Sequence, residues 1–178
     1  MVKSGEKWRF VLYISRQKKR YMQSLLGEFP VTVDEKGRLM LPAALIKQLP
    51  AATRKKFVIN RGFEKHLTLY PVNIWKKVTD EMNKLNLYVR KNREFMRRFN
   101  NGATELTVDG TNRILLPTQL MEYGNISKDV VLLAYSDRIE LWSEKEYNKF
   151  MKERDEDIAK LAEDVMGKIN SEKEDELS

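Results

Sequence analysis

Two stretches of the chain share one rhythm of apolar and polar positions. Val31 and Val33 alternate with Thr32, the run breaks at Glu35, Lys36 and Gly37, and Leu39, Met40 and Leu41 resume it before Pro42. The same order returns further on: Leu106, Thr107 and Val108, a break at Gly110, Thr111 and Asn112, then Ile114, Leu115, Leu116 and Pro117. Val31 to Leu45 aligns with Leu106 to Leu120 without a gap, at a constant offset of 75. Alternation over a few residues marks a half-buried strand, and a short polar break between two such runs marks a tight turn. Each copy therefore predicts strand, turn, strand. Gly37 and Asn112 hold the same place in the turn. Glycine enters the left-handed backbone region freely and asparagine is among the few other residues that visit it, so both are expected at positive φ. Pro42 and Pro117 end the second strand and fit the first turn of a helix starting at Ala43 or Thr118.

The copies continue alike. Apolar runs at Phe57 to Ile59 and Val130 to Leu133 precede strands ending in an aromatic, His66 to Tyr70 and Arg138 to Trp142, where the offset has become 72. Coincidence is improbable over this span, and an internal repeat governs the reading of the fold. A helix closes each copy. Pro71 opens one carrying Ile74, Trp75, Val78, Met82 and Leu85; Ser143, with Glu146 three residues on, opens the other in a capping-box pattern. The second carries Tyr147, Phe150, Met151, Ile158, Leu161, Ala162, Val165 and Ile169 at helical spacing and is expected to run to Lys168, before a charged tail prone to fraying. Between the copies, Tyr88 to Phe99 predicts a short basic helix. The class is α+β. Two short hairpins alone expose their edges and one apolar face, so the copies are expected to interleave into one small pseudo-two-fold β-barrel with flanking helices.

Composition narrows the function. The 178 residues are 42% apolar, enough for a core, and contain no cysteine. A disulfide framework, a thiolate nucleophile and a thiolate metal site are thereby excluded, which suits a reducing cytoplasm. His66 is the single histidine and lies in a strand without clustered partners, so no metal, cofactor or small-molecule ligand is expected. The longest candidate targeting segment, Phe10 to Ile14, has five apolar residues, too few for a signal-peptide core or a membrane span. The net charge of +7 is polarised: +6 over residues 1–24, +6 over 25–143 and −5 from Glu144 onward. A basic body suits a polyanion, since neutralising phosphates releases counterions. Charge alone does not separate DNA from RNA or anionic lipid.

The turns carry the candidate chemistry. Each holds an aspartate four residues before an arginine, Asp34 and Arg38 in the first copy, Asp109 and Arg113 in the second. A guanidinium mounted on a turn can meet guanine O6 and N7 in the major groove or grip a phosphate. Aspartate organises turns by accepting backbone N–H groups. The division of labour read here gives Asp34, Gly37 and Asp109 the shaping of the loops. Arg38 and Arg113, with Lys36 and Asn112, are the DNA contacts. The competing reading makes each Asp/Arg pair an internal salt bridge at a barrel corner.

Leu25-Leu26-Gly27-Glu28-Phe29, followed by the motif from Val33 to Pro42 and its second copy from Asp109 to Pro117, closely resembles the MraZ family over about residues 22 to 165. Each Asp-x-x-x-Arg is followed by Leu or Ile, two apolar residues and Pro, and it is the duplication that makes the motif specific. The resemblance implies a swapped-hairpin barrel of the AbrB type and a ring-shaped homo-oligomer. It also implies a nucleoid-associated regulator, a repressor of the division and cell-wall gene cluster that includes its own operon, bound to double-stranded DNA at short direct repeats in the promoter. Asn112 departs from the glycine of the first copy. The front end departs too, because family members begin just before the Leu25 segment. Residues 1–21 are therefore expected to derive from an upstream start codon, the alternative being a basic arm on phosphate. The organisation read is a basic extension over 1–24, a first repeat with its helices over 25–100, a second repeat with a C-terminal helix over 101–168, and a tail over 169–178.

Two aspartates near a pseudo-two-fold axis resemble the arrangement of an aspartic protease, but each is followed by an arginine that favours its ionised form, and Asp109-Gly110-Thr111 is not the order such enzymes use. No enzymatic activity is expected. A dimeric antitoxin-like DNA-binding regulator of the same barrel family and a non-DNA-binding oligomeric scaffold remain as alternatives. Arg90, Lys91, Arg93, Arg97 and Arg98 form either a DNA face or a solvated helix face. Arg54, Lys55 and Lys56 are read as a solvated loop, and Trp75 and Trp142 as core aromatics rather than base-stacking platforms.

Overall fold

Alternating burial along Leu25–Thr32 makes the first strand, β1, and the matching motif downstream makes β5 (Thr104–Thr107). The computed structural model describes residues 24–153 and 158–175. The expectations for residues 1–21 lie outside the described residues. After each first strand and turn comes a three-residue strand, β2 (Arg38–Met40) and β6 (Arg113–Leu115). The prolines then start short helices, α1 (Ala43–Lys47) and α4 (Thr118–Tyr123). Antiparallel pairs follow: β3 (Lys56–Arg61) with β4 (Leu67–Pro71), and β7 (Asp129–Ser136) with β8 (Arg138–Ser143). Helix α2 (Val72–Met82) closes the first copy, α3 (Arg90–Asn100) links the two, and α5 (Glu144–Glu153) follows the second.

The pairing exchanges strands between copies. β1 pairs with β7 of the second copy, and β5 with β3 of the first. The larger sheet runs β1-β7-β8-β4-β3-β5, an order that reads the same when each strand is replaced by its repeat mate. Two ladders straddle the pseudo-two-fold axis. Leu39 faces Ile114 at the centre of β2–β6, and Thr68 faces Glu140 at the centre of β4–β8. This is the interleaved α+β architecture read from the repeat, with one correction. The barrel is not closed: the β2–β6 ribbon is a separate two-stranded sheet, because its strands are only three residues long and bond to each other rather than to the six-stranded sheet.

One core serves both copies. Leu39, Leu41, Leu45, Phe57, Ile59, Leu67 and Leu69 from the first bury with Ile114, Leu120, Leu132, Ile139 and Leu141 from the second. Neither hairpin pair could bury its apolar face without the other, which is why the two copies fold as one. A second cluster joins Tyr70, Ile74, Val78 and Met82 to Trp75, Phe95, Met96 and Phe99, with Trp75 and Phe99 stacked at 5.6 Å. It fixes α3 on α2. Leu85, expected on α2, falls past its end because the helix stops at Met82.

The chain divides into two compact units, Met1–Glu146 and Tyr147–Ser178. The expected long C-terminal helix is two helical segments, α5 and α6 (Ile158–Asp175). Ile158, Leu161, Val165 and Met166 on α6 are exposed. The capping box at Ser143 is half formed. Ser143 Oγ accepts the Glu146 N–H at 3.2 Å, while the Glu146 carboxylate accepts from Asn125 instead of returning to the cap.

Candidate nucleic-acid interface

The two turns share one hydrogen-bonded frame, to which the second adds the Thr111 hydroxyl donating to Asp109 Oδ1 at 2.8 Å. Asp34 Oδ1 accepts the backbone N–H of Lys36 and of Arg38, both at 2.9 Å, and Asp109 Oδ1 accepts those of Thr111 and Arg113 at the same distance. The second carboxylate oxygen takes the arginine: Arg38 Nε donates to Asp34 Oδ2 at 2.8 Å, and Arg113 Nε to Asp109 Oδ2 at 2.8 Å. Gly37 stands at φ 78° and Asn112 at φ 59°, as the repeat alignment required. Five residues, Asp34 to Arg38 and Asp109 to Arg113, thus hold one carboxylate that pins two amides and one guanidinium. Arg38 beside it pulls the Asp34 carboxyl down to about 2. The Arg113 and Thr111 amides hold Asp109 well below the usual carboxylate range.

The internal ion pair is therefore present in both copies, and it does not bury the arginines. Each guanidinium side chain keeps 33% of its surface open, and Lys36 and Asn112 are exposed. The aspartate engages the Nε of each guanidinium, with Arg38 Nη2 also 2.7 Å from Asp34 Oδ2, and each arginine stays partly exposed. Such a group is pre-oriented: little rotamer freedom is left to lose on meeting a phosphate or a base edge.

The structure adds a coupling that spacing did not reveal. The Gly37 carbonyl accepts the Leu116 N–H at 2.9 Å, and the Asn112 carbonyl accepts the Leu41 N–H at 2.8 Å. Each turn is fastened to the other copy's ribbon strand by its own positive-φ residue. Arg38 and Arg113 consequently sit on one antiparallel ribbon, Arg38 opposite Leu115 and Arg113 opposite Met40. The only sequence signal was the pairing of a glycine with an asparagine at that place.

Other basic residues divide. On α3, Arg93 donates to the Leu87 and Tyr88 carbonyls at 2.7 and 2.8 Å, and Arg98 pairs with Glu94 at 2.7 Å, so both serve the helix and its entry loop. Arg90, Lys91 and Arg97 are exposed. The segment read as a solvated loop is more ordered than expected. Arg54 Nε donates to the Leu49 carbonyl at 2.7 Å, and Lys56 opens β3 and pairs with Glu105 of the neighbouring β5 at 2.6 Å. Strand exchange brought that acid alongside, which linear sequence does not show.

His66 is buried in a polar nest. It stacks on Trp142 at 4.4 Å, with Nε2 3.6 Å from Glu140 and Nδ1 3.8 Å from Glu64. Burial lowers its pKa and Glu140 acts against that. Its repeat mate, Arg138, lies over the ring of Tyr70 at 5.4 Å, so both copies place a cationic or ionisable side chain against a cross-strand aromatic. Trp142 is buried there as a core aromatic.

A family model described as "MraZ protein, putative antitoxin-like" matches the chain twice, over residues 24–98 and 99–168. The chain belongs to the MraZ family. The two matches meet in the last turn of α3, just before β5 begins the second interleaved half. The chain is similar to the transcriptional regulator MraZ of Flavobacterium psychrophilum, 39% identical over 150 residues that cover 84% of this chain and 96% of that one. It is likewise similar to the proteins of the same name from Christiangramia forsetii, 40% identical with 82% and 95% covered, and Cytophaga hutchinsonii, 34% identical with 82% and 97% covered. As an MraZ member it has relatives named as regulators rather than as enzymes. No helix among the described residues is long and apolar enough to cross a membrane.

Proposed function

We propose that this chain is a sequence-specific, double-stranded DNA-binding transcriptional regulator that acts in the cytoplasm at the nucleoid. Arg38 and Arg113 meet base edges or phosphates, Lys36 and Asn112 extend that contact, and Asp34, Gly37 and Asp109 shape the loops. The observation that carries the reading is the twofold display of pre-oriented, one-third exposed guanidinium groups on a single ribbon. A two-stranded β-ribbon fits the major groove, and the relatives' shared name supplies the regulatory role. The targets are short direct repeats upstream of the division and cell-wall gene cluster, including the protein's own operon, and the effect is repression.

Each ribbon alone binds weakly. A ring of copies presenting several ribbons to repeated boxes raises the effective concentration and thus the avidity. Both hairpins of the interleaved unit come from one chain, so the oligomer is needed for multivalency rather than for completing the fold. The test is selection of fragments from the organism's own genome by the full chain, read by sequencing, with native mass measured alongside. Enrichment of a region upstream of the protein's own gene, by a species heavier than a dimer, is the expected result. Unenriched recovery would remove the regulatory reading.

A further inference from the structure

The outward face of the β2–β6 ribbon is not uniformly cationic. Residues opposed in an antiparallel pair, like residues two apart on one strand, project from the same face. With Arg38 opposite Leu115 and Met40 opposite Arg113, the four outward positions form a square, guanidinium groups on one diagonal and apolar side chains on the other. Leu39 and Ile114 point the other way into the core. Met40 and Leu115 are 57% and 59% exposed, and each is the other's repeat mate, so the feature occurs twice.

The cations say what covers this pair. An occupant must bring acceptors to both guanidinium groups and apolar surface to the positions between them. The major-groove edge of a duplex does both: it offers acceptors on guanine and phosphate, and one apolar group, the C5-methyl of thymine. Diagonal neighbours on a ribbon stand roughly 7–8 Å apart, about two base steps of 3.4 Å. The square therefore spans about three consecutive base pairs.

We infer that Met40 and Leu115 are specificity-determining residues that read thymine methyl groups in the major groove between Arg38 and Arg113. The inference rests on the DNA-binding reading above. Its probe is the shortest duplex retained in the genomic selection, bound by the full chain, with each thymine replaced in turn by uracil. That exchange removes one methyl and leaves every hydrogen-bonding edge unchanged. At one or two positions affinity falls about fourfold, the worth of one buried methyl. Met40→Ala or Leu115→Ala costs as much or more on thymine DNA and adds no further loss when its own thymine is already uracil. The uracil arm alters no protein residue, so it decides the matter even if an alanine variant loses stability. Indifference to uracil at every position, losses that multiply independently, or a retained duplex lacking thymine would each overturn the inference and leave DNA binding standing. Alanine variants that lose oligomer mass while uracil is silent would assign the face to a second copy and overturn it equally. Failure of the wild-type chain to retain any duplex would overturn the DNA-binding reading itself, and the inference with it.

Discussion

Gly37 and Asn112 occupy one structural position with different chemistry, and that difference is measurable. A side chain added at Gly37 would meet no atom closer than 3.6 Å, so its cost is the backbone's alone. Gly37→Ala is expected to destabilise by about 1–2 kcal/mol through its left-handed φ, Gly37→Asn by less, and Asn112→Gly by little, as read by chemical denaturation. Asp34 gives a second check. Its carboxyl is held near 2, so the loop contribution is fully present above the ordinary value of 3.8 and is lost as pH falls through about 2. A carbon-detected NMR titration should place its midpoint well under that of a free aspartate, and Arg38→Ala should move it back up. His66 works in the opposite range. Its folded pKa lies below 6.5, so protons favour the unfolded chain: stability holds above that pH and declines as pH drops below it. Glu64 and Glu140 both face the ring, and the Glu140 carboxylate moderates the decline. Because the chain has one histidine, unfolding free energy measured from pH 7 to 5 should slope downward in the wild type and flatten in His66→Leu.

At the scale of elements, the ribbon and the exchanged strands make the two copies mechanically equivalent. Leu39 and Ile114 face each other at the axis, both essentially without exposure. Leu39→Ala and Ile114→Ala should each cost about 2–5 kcal/mol, and by nearly equal amounts, in thermal or denaturant unfolding; a large inequality would contradict the pseudo-symmetry. Much of this architecture was legible in the sequence. The gapless match from Val31 to Leu45 against Leu106 to Leu120 located the strands, turns and positive-φ positions, because alternation and turn chemistry are local. Three things were not. Lys56 found Glu105, and the Gly37 and Asn112 carbonyls found the opposite strand, only through strand exchange, which is non-local. The barrel stayed open because the three-residue strands pair with each other and meet the preceding segments only at isolated bonds, such as the Asp34 amide on the Arg38 carbonyl. The end of α2 at Met82 rather than beyond Leu85 shows that apolar spacing alone does not terminate a helix; the Asn83 amide caps back onto Thr79 and the chain turns.

At the scale of the whole molecule, charge and strand exchange together set what the surface displays. Charge runs from a basic front to an acidic segment after Glu144, and within the basic body the interleaved unit places two aspartate-held arginines on one ribbon. In the proposed function, lysines and arginines elsewhere on the surface supply non-specific affinity that salt removes, and the ribbon arginines supply selectivity. The deciding experiment must therefore hold folding and assembly constant while removing them. Asp34 and Asp109 keep the turn amides bonded whether or not the guanidinium is present, and Arg38→Ala, Arg113→Ala and the double variant are expected to fold and to keep the wild-type native mass. The measurement is equilibrium binding of these variants and the wild type to the genomically selected duplex and to a scrambled duplex of equal length, at one fixed salt concentration. The account predicts that each single variant loses at least about tenfold on the selected duplex, that the double variant binds both duplexes equally, and that mass is unchanged. Full retention of selective binding by the double variant would contradict it.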